Sequence, residues 1–104
     1  MLHAIAFIVA RSGQREALIK ELEAYIPQVK AQPGCHECVI LVDSNEMGGP
    51  QAPMAADRFA IWQKWDNIDA LRSHMASPVL RDFFIRHRDS IANRMLQVMS
   101  EVTP

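Results

Sequence analysis

The feature that most restricts this 104-residue chain is the order in which strand-like and helix-like apolar patterns follow one another. Residues 2–10, Leu-His-Ala-Ile-Ala-Phe-Ile-Val-Ala, are apolar and rich in β-formers, and Arg11-Ser12-Gly13 closes them. They predict a first strand buried on both faces or nearly so. From Gln14 to Ala31 the apolar residues Leu18, Leu22, Tyr25, Ile26 and Val29 recur at helical spacing, with Arg15, Lys20, Glu21 and Glu23 on the wet side. Pro27 inside that pattern predicts a kink or an early frayed end. Gln32-Pro33-Gly34 stops the helix, and residues 36–43 predict a second strand. Ser44 to Asp57, with Gly48-Gly49-Pro50 and Pro53 inside, is too long for a tight turn and predicts an extended loop. Residues 58–65, Arg-Phe-Ala-Ile-Trp-Gln-Lys-Trp, predict the third strand. Asp66-Asn67 caps a helix carrying Ile68, Leu71 and Met75. Ser77-Pro78 restarts helix with a serine cap and a first-turn proline, and Val79, Leu80, Phe83, Phe84 and Ile91 continue the apolar stripe. Residues 95–102 predict a fourth strand.

The resulting order, β-α-β-β-α-β, is the ferredoxin-like α+β arrangement, and residues 1–104 are expected to form one domain of common size. The helices of such a sheet cover one face only. Strands one and three are apolar on both faces, so the second face is expected to be covered by a second copy, through Ala60, Trp62 and Lys64. A domain this small gains from such burial.

Charge excludes several partners. Eleven basic and twelve acidic residues, interspersed, give a net charge of −1 and no footprint for nucleic acid or an anionic membrane. No apolar run approaches the roughly 20 residues that span a bilayer, and Met1-Leu2-His3-Ala4-Ile5 lacks the basic start of a secretory signal. The expected location is the cytoplasm. Cys35-His36-Glu37-Cys38 has no second metal-binding pair to complete the roughly four ligands of a zinc site. On a regular strand its two thiols would point to opposite faces, where bridging is geometrically poor. Two reduced cysteines and no metal are expected.

Chemistry concentrates at strand three. Phe59, Ile61, Gln63 and Trp65 share one face, and nine residues after Trp65 comes His74 on the following helix. Packing alone accounts for Trp62 and Trp65, and a helical histidine can be a hydrogen-bonded core residue. The functional alternative makes His74 a general base, since imidazole titrates near neutrality. Its pocket would be lined by Phe59, Ile61, Gln63, Trp65 and Phe84, with Gln63 donating through its amide to a developing anion. His3, His36 and His87 stand beside no polar group of the kind a triad needs.

These residues carry a family resemblance. Pro33-Gly34-Cys35-His36, Val42-Asp43, a long loop ending Met54-Ala55-Ala56-Asp57, and Trp65-Asp66-Asn67-Ile68-Asp69-Ala70-Leu71-Arg72-Ser73-His74 followed by Ser77-Pro78 resemble the antibiotic-biosynthesis monooxygenases, most of all the quinol monooxygenases among them. The resemblance runs from about Ile5 to Val98. It implies a dimeric α+β barrel, and oxidation of quinols or related phenolic and polycyclic aromatic compounds by dioxygen with no metal, flavin or haem cofactor. An ionised hydroquinone is itself a good electron donor, so the protein must bind it, take its proton, hold the anion and exclude water. This chain departs from the family pattern in two places. Gln63-Lys64-Trp65 carries glutamine where the family usually has glutamate, which moves the burden of proton removal to His74 or removes it. Val79 stands where relatives often have a second histidine. Ala6, His74 and Phe84 occupy the positions of the haem-degrading branch's asparagine, tryptophan and histidine, which disfavours haem breakdown. Another enzyme on the same scaffold, such as an isomerase or decarboxylase, and a non-catalytic ligand-binding or stress-response dimer stay open at this level.

Overall fold

A computed structural model describes residues 1–52 and 55–103. Pro53 of the long loop, Met54 of its closing motif and Pro104 lie outside the described residues. The elements are β1 (Leu2–Ala10), α1 (Arg15–Glu23), α2 (Ile26–Lys30), β2 (Cys35–Leu41), β3 (Arg58–Trp65), α3 (Ile68–Met75), α4 (Pro78–His87), a 3-10 turn (Arg88–Ser90) and β4 (Ile91–Ser100). The strands form one antiparallel sheet in the order β2-β3-β1-β4, which is the expected ferredoxin-like α+β topology.

Three local features bear on the reading of the sequence: the predicted kink at Pro27 is a full break, and two others differ from it. The first helix is two helices, because Pro27 has no N–H to donate to the Glu23 carbonyl. Helix α1 ends at Glu23, and Pro27 sits in the first turn of α2, where a missing N–H costs nothing. Strand β4 begins at Ile91 rather than Met95, since the full length of β1 pairs with it, across an irregularity at Val9/Ala10. Tertiary pairing overrides the weak strand propensity of residues 91–94. Third, the pairing of β2 with β3 slips between Cys35 and Glu37: Cys35 opposes Trp65, Glu37 opposes Lys64 and Cys38 opposes Gln63. The extra residue puts Cys35 and Cys38 on the same face of the sheet, not on opposite faces. Both are free thiols.

The helix-covered face carries the core. Ala4, Ile8, Phe59, Ile61 and Trp65 from the sheet meet Leu18, Leu22, Val29, Leu71 and Phe83 from the helices. Burying a large side chain among them contributes about 1.5–3 kcal/mol. The opposite face is also apolar but stays partly wet: Ile5, Phe7, Val9 and Trp62 are half-buried, and Leu41, Met95 and Met99 are exposed. The helices over the core start as expected. Asn67 accepts a hydrogen bond from the Ala70 N–H at 3.0 Å, and Ser77 accepts one from the Leu80 N–H at 3.4 Å.

Two joints fix the ends of β2. Gly34 (φ +85°) lets the turn before the strand lie against α3; a Cβ there would stand 2.6 Å from the Ala70 Cβ. Beyond the strand, Asp43 accepts from the Ala55 N–H at 2.9 Å and from Arg58 at 2.9 Å, closing the base of the long loop. Those bonds hold the Asp43 carboxyl below the usual carboxylate range.

Candidate active site

Beneath α3 and α4, against β1, β3 and β4, lies a cavity of about 690 Å³, within the range of small-molecule pockets. Its room comes from β1, where Ala6 stands opposite Ile61 and so leaves space that a larger strand-former would fill. Ile61, Gln63, His74 and Phe84 line it, as the sequence suggested. Phe59 and Trp65 do not. Trp65 is 0% exposed and Phe59 is 2% exposed, so both are core residues standing behind the lining.

Trp65 nevertheless organises the site. Its indole N–H donates to Gln63 Oε1 at 2.9 Å. That bond fixes which end of the amide is which, and leaves the Gln63 NH2 as a donor beside the cavity. The same indole stacks on the His74 imidazole, with ring centroids 4.9 Å apart and planes 28° from parallel.

His74 is 1% exposed at the end of α3, beside Leu71 on the buried side of the helix, while Met75 turns outward at 47% exposure. Its Nδ1 lies 2.7 Å from Gln32 Oε1. An amide oxygen only accepts, so Nδ1 carries the proton and Nε2 presents a lone pair. Among the described residues Nε2 is buried and has no hydrogen-bond partner. Burial without a compensating anion lowers the His74 pKa below its ordinary 6.5, so the neutral ring is favoured near pH 7. Gln32 was not singled out in the sequence; it reaches His74 across 42 positions from the turn before β2. That turn also borders a smaller cavity of about 400 Å³ on the other side of the imidazole, with Gly34, Asp66, Ala70 and Ser73. His74 therefore stands between the two spaces.

The other histidines and the cysteines fall elsewhere. His3 does have polar partners, contrary to expectation: its Nδ1 accepts from the Trp62 indole at 3.2 Å and its Nε2 meets Glu101 at 2.7 Å. His36 pairs with Asp66 at the surface. His87 leans on Phe83. Burial pushes the Cys35 thiol up, and that of Cys38 to about 12, so neither is a ready nucleophile. Among the described residues no group of three or more His, Cys, Asp or Glu is placed to hold a metal ion, and no helix is long and apolar enough to cross a membrane.

Comparison with known proteins gives the family and the fold. Over 85 residues, 80% of this chain and 81% of the relative, the sequence is 31% identical to "Probable quinol monooxygenase YgiN" of Escherichia coli (strain K12), and equally so to the protein of that name from Shigella flexneri. The fold is similar to that of PA3566 from Pseudomonas aeruginosa, with a TM-score of 0.80 at 22% identity over 98% of this chain and 94% of that one. It is similar also to Rv0793 from Mycobacterium tuberculosis, with a TM-score of 0.79 at 17% identity over 99% and 96%. The family model described as "Antibiotic biosynthesis monooxygenase" matches residues 1–85. This chain belongs to the antibiotic biosynthesis monooxygenase family.

Proposed function

We propose that the protein is a homodimeric, cofactor-independent monooxygenase of quinols or related phenolic aromatics, with His74 as the proton acceptor. The observation that carries this reading is the state of His74: neutral, held in one tautomer by Gln32, and with a buried, unpartnered Nε2 on a residue that lines the cavity. A buried acceptor without a partner costs about 1–3 kcal/mol, and a substrate hydroxyl would satisfy it. Its proton passes to Nε2. The Gln63 NH2 is oriented to donate to the oxygen left behind, between walls that are largely apolar. The bound anion then reduces dioxygen, the substrate itself supplying all four electrons: one oxygen atom replaces a ring hydrogen as a hydroxyl, the ring is left as a hydroxyquinone, and the other oxygen atom leaves as water. Phenolic hydroxyls have a pKa near 10, so the hydrogen bond to the developing anion has to bring it within reach of an imidazole.

Ile61 and Phe84 form substrate walls in this reading, while Phe59 and Trp65 act by holding those walls, the Gln63 amide and the imidazole in place. The partly wet apolar face of the sheet supports the homodimer. The test is oxygen consumption by metal-stripped protein given a panel of reduced quinones. Uptake that matches quinol loss one for one and yields a hydroxylated quinone without hydrogen peroxide supports the reading, and peroxide as the product or uptake that follows added metal overturns it.

A further inference from the structure

The cavity is asymmetric in a way the oxidation of a plain quinol does not require. Its floor holds His74 and Gln63, both buried, and its sides are apolar. Its mouth carries three guanidinium groups, Arg81, Arg88 and Arg94, all on exposed residues. That is three of the chain's eleven Lys and Arg in one opening, on a protein whose net charge is −1. Among the described residues no carboxylate lines the cavity, and none of the three arginines is in an ion pair. The neighbouring acid Asp82 is already engaged by Arg86 and by the Tyr25 hydroxyl.

Their placement has separate local causes that converge. Arg81 and Arg88 are seven residues apart, two helical turns, and so share one side of α4 and its 3-10 extension. Arg94 comes from the edge strand β4, opposite Ile8, and its Cζ lies 4.0 Å from the centroid of the Phe84 ring. That stacking directs the guanidinium over the opening and gives it a fixed platform.

We propose that the substrate is an aromatic acid: its hydroxyl meets His74 and Gln63 at the floor, its ring lies against Ile61 and Phe84, and a carboxylate at its far end is held among Arg81, Arg88 and Arg94. The inference rests on the reading of the cavity as the substrate site. Two ends with different chemistry fix the direction in which a flat ring enters, which places one particular hydroxyl beside the base. Guanidinium forks suit a carboxylate better than point charges would.

Calorimetric titration with two non-oxidisable probes, 2-naphthoate and neutral 2-naphthylmethanol, tests this separately from catalysis. Each partly solvated ion pair contributes roughly a few-fold in affinity, so 2-naphthoate is expected to bind at least about tenfold more tightly. Raising the salt should shrink that preference, as should Arg81→Gln and Arg88→Gln, which alter exposed positions. Arg94→Lys should keep part of the preference, having the charge without the stacked fork. Equal binding of the two probes, binding of neither, or a preference that survives all the arginine substitutions would overturn the proposal. Oxygen uptake is read in parallel. If neutral and acidic quinols are turned over with equal KM, the aromatic-acid inference fails while the monooxygenase reading stands. Tight, arginine-dependent binding of 2-naphthoate with no oxygen uptake from any quinol does the reverse.

Discussion

His74 and His3 occupy opposite faces of one sheet, and each lays its ring against a tryptophan. The His74–Trp65 centroids are 4.9 Å apart under the helices, and the His3–Trp62 centroids are 5.8 Å apart, with planes 18° from parallel, on the open face. The chemical pair is the same, yet the two imidazoles differ in how many of their nitrogens are occupied. His3 takes the Trp62 N–H on Nδ1 and meets Glu101 through Nε2, and this contact holds the Glu101 carboxyl below its ordinary range. His74 spends Nδ1 on Gln32 and leaves Nε2 without a partner, and burial favours its neutral form. A satisfied histidine is a structural crosslink, whereas one with an empty buried lone pair is open to a hydrogen-bond donor. Proximity to an aromatic ring distinguishes nothing here; the unmet valence does.

The sharpest way to break this contrast is to remove each ring in turn. His74→Ala should lower quinol-dependent oxygen uptake by roughly a hundredfold or more, the usual scale for losing a general base. His3→Ala, assayed as folded protein, should stay within a few-fold of the parent, and an equal loss in both would end the distinction. The open face offers the next largest effect. Phe7→Asp places a charge in the proposed dimer surface and should convert a species near twice 11.8 kDa to one near 11.8 kDa in sedimentation. A parent already monomeric at micromolar concentration would refute the dimer.

Smaller effects sharpen the account of His74 itself. Gln32→Leu removes the tautomer-fixing bond, worth about 1 kcal/mol, and should slow turnover roughly fivefold while leaving circular dichroism unchanged. Proton linkage gives a test that needs no substrate. The folded His74 pKa lies below 6.5, so just below pH 6.5 the unfolded chain binds a proton that the folded chain does not. Stability is therefore full above pH 6.5 and falls as the pH drops from there toward the folded pKa. Denaturant midpoints should trace that slope, and His74→Phe should flatten it. The smallest expected change is at the thiols. Cys35→Ser should alter turnover by less than about twofold, and Cys38, with its pKa near 12, should resist iodoacetamide in the native protein.

The fold was legible because β1 and β3 are runs of β-formers with clear breaks beside them, and their bounds match the sequence reading at both ends. The capping residues Asn67 and Ser77 were equally plain, since their side chains act within three positions. The same local signals placed Ile61, Gln63, His74 and Phe84 around one space. Long-range geometry carries what was missed. The slip at Cys35 depends on how β2 docks on β3, and no residue type announces it. Gln32 was read only as a helix stop, because its partner is 42 positions away. Trp65 was assigned to the lining from strand alternation, which reports a face but not a depth: the face is correct, yet His74 stacks over the indole and closes it off. The arginines at the mouth come from α4, its extension and β4, and each alone reads as an ordinary solvated cation.

The tight seat of Gly34 against Ala70 has a consequence for anyone reshaping this protein by random mutagenesis. The turn that bears Gln32 and the helix that bears His74 are wedged together there, so acceptor and imidazole travel as one rigid piece. A side chain added at Gly34, or a larger one at Ala70, would drive the piece apart and disturb the imidazole's protonation without touching any ligand. In a mutational scan scored on activity, these two small residues should rank beside His74 as intolerant sites. A reader of that scan alone would mistake a carpenter's joint for part of the cutting edge.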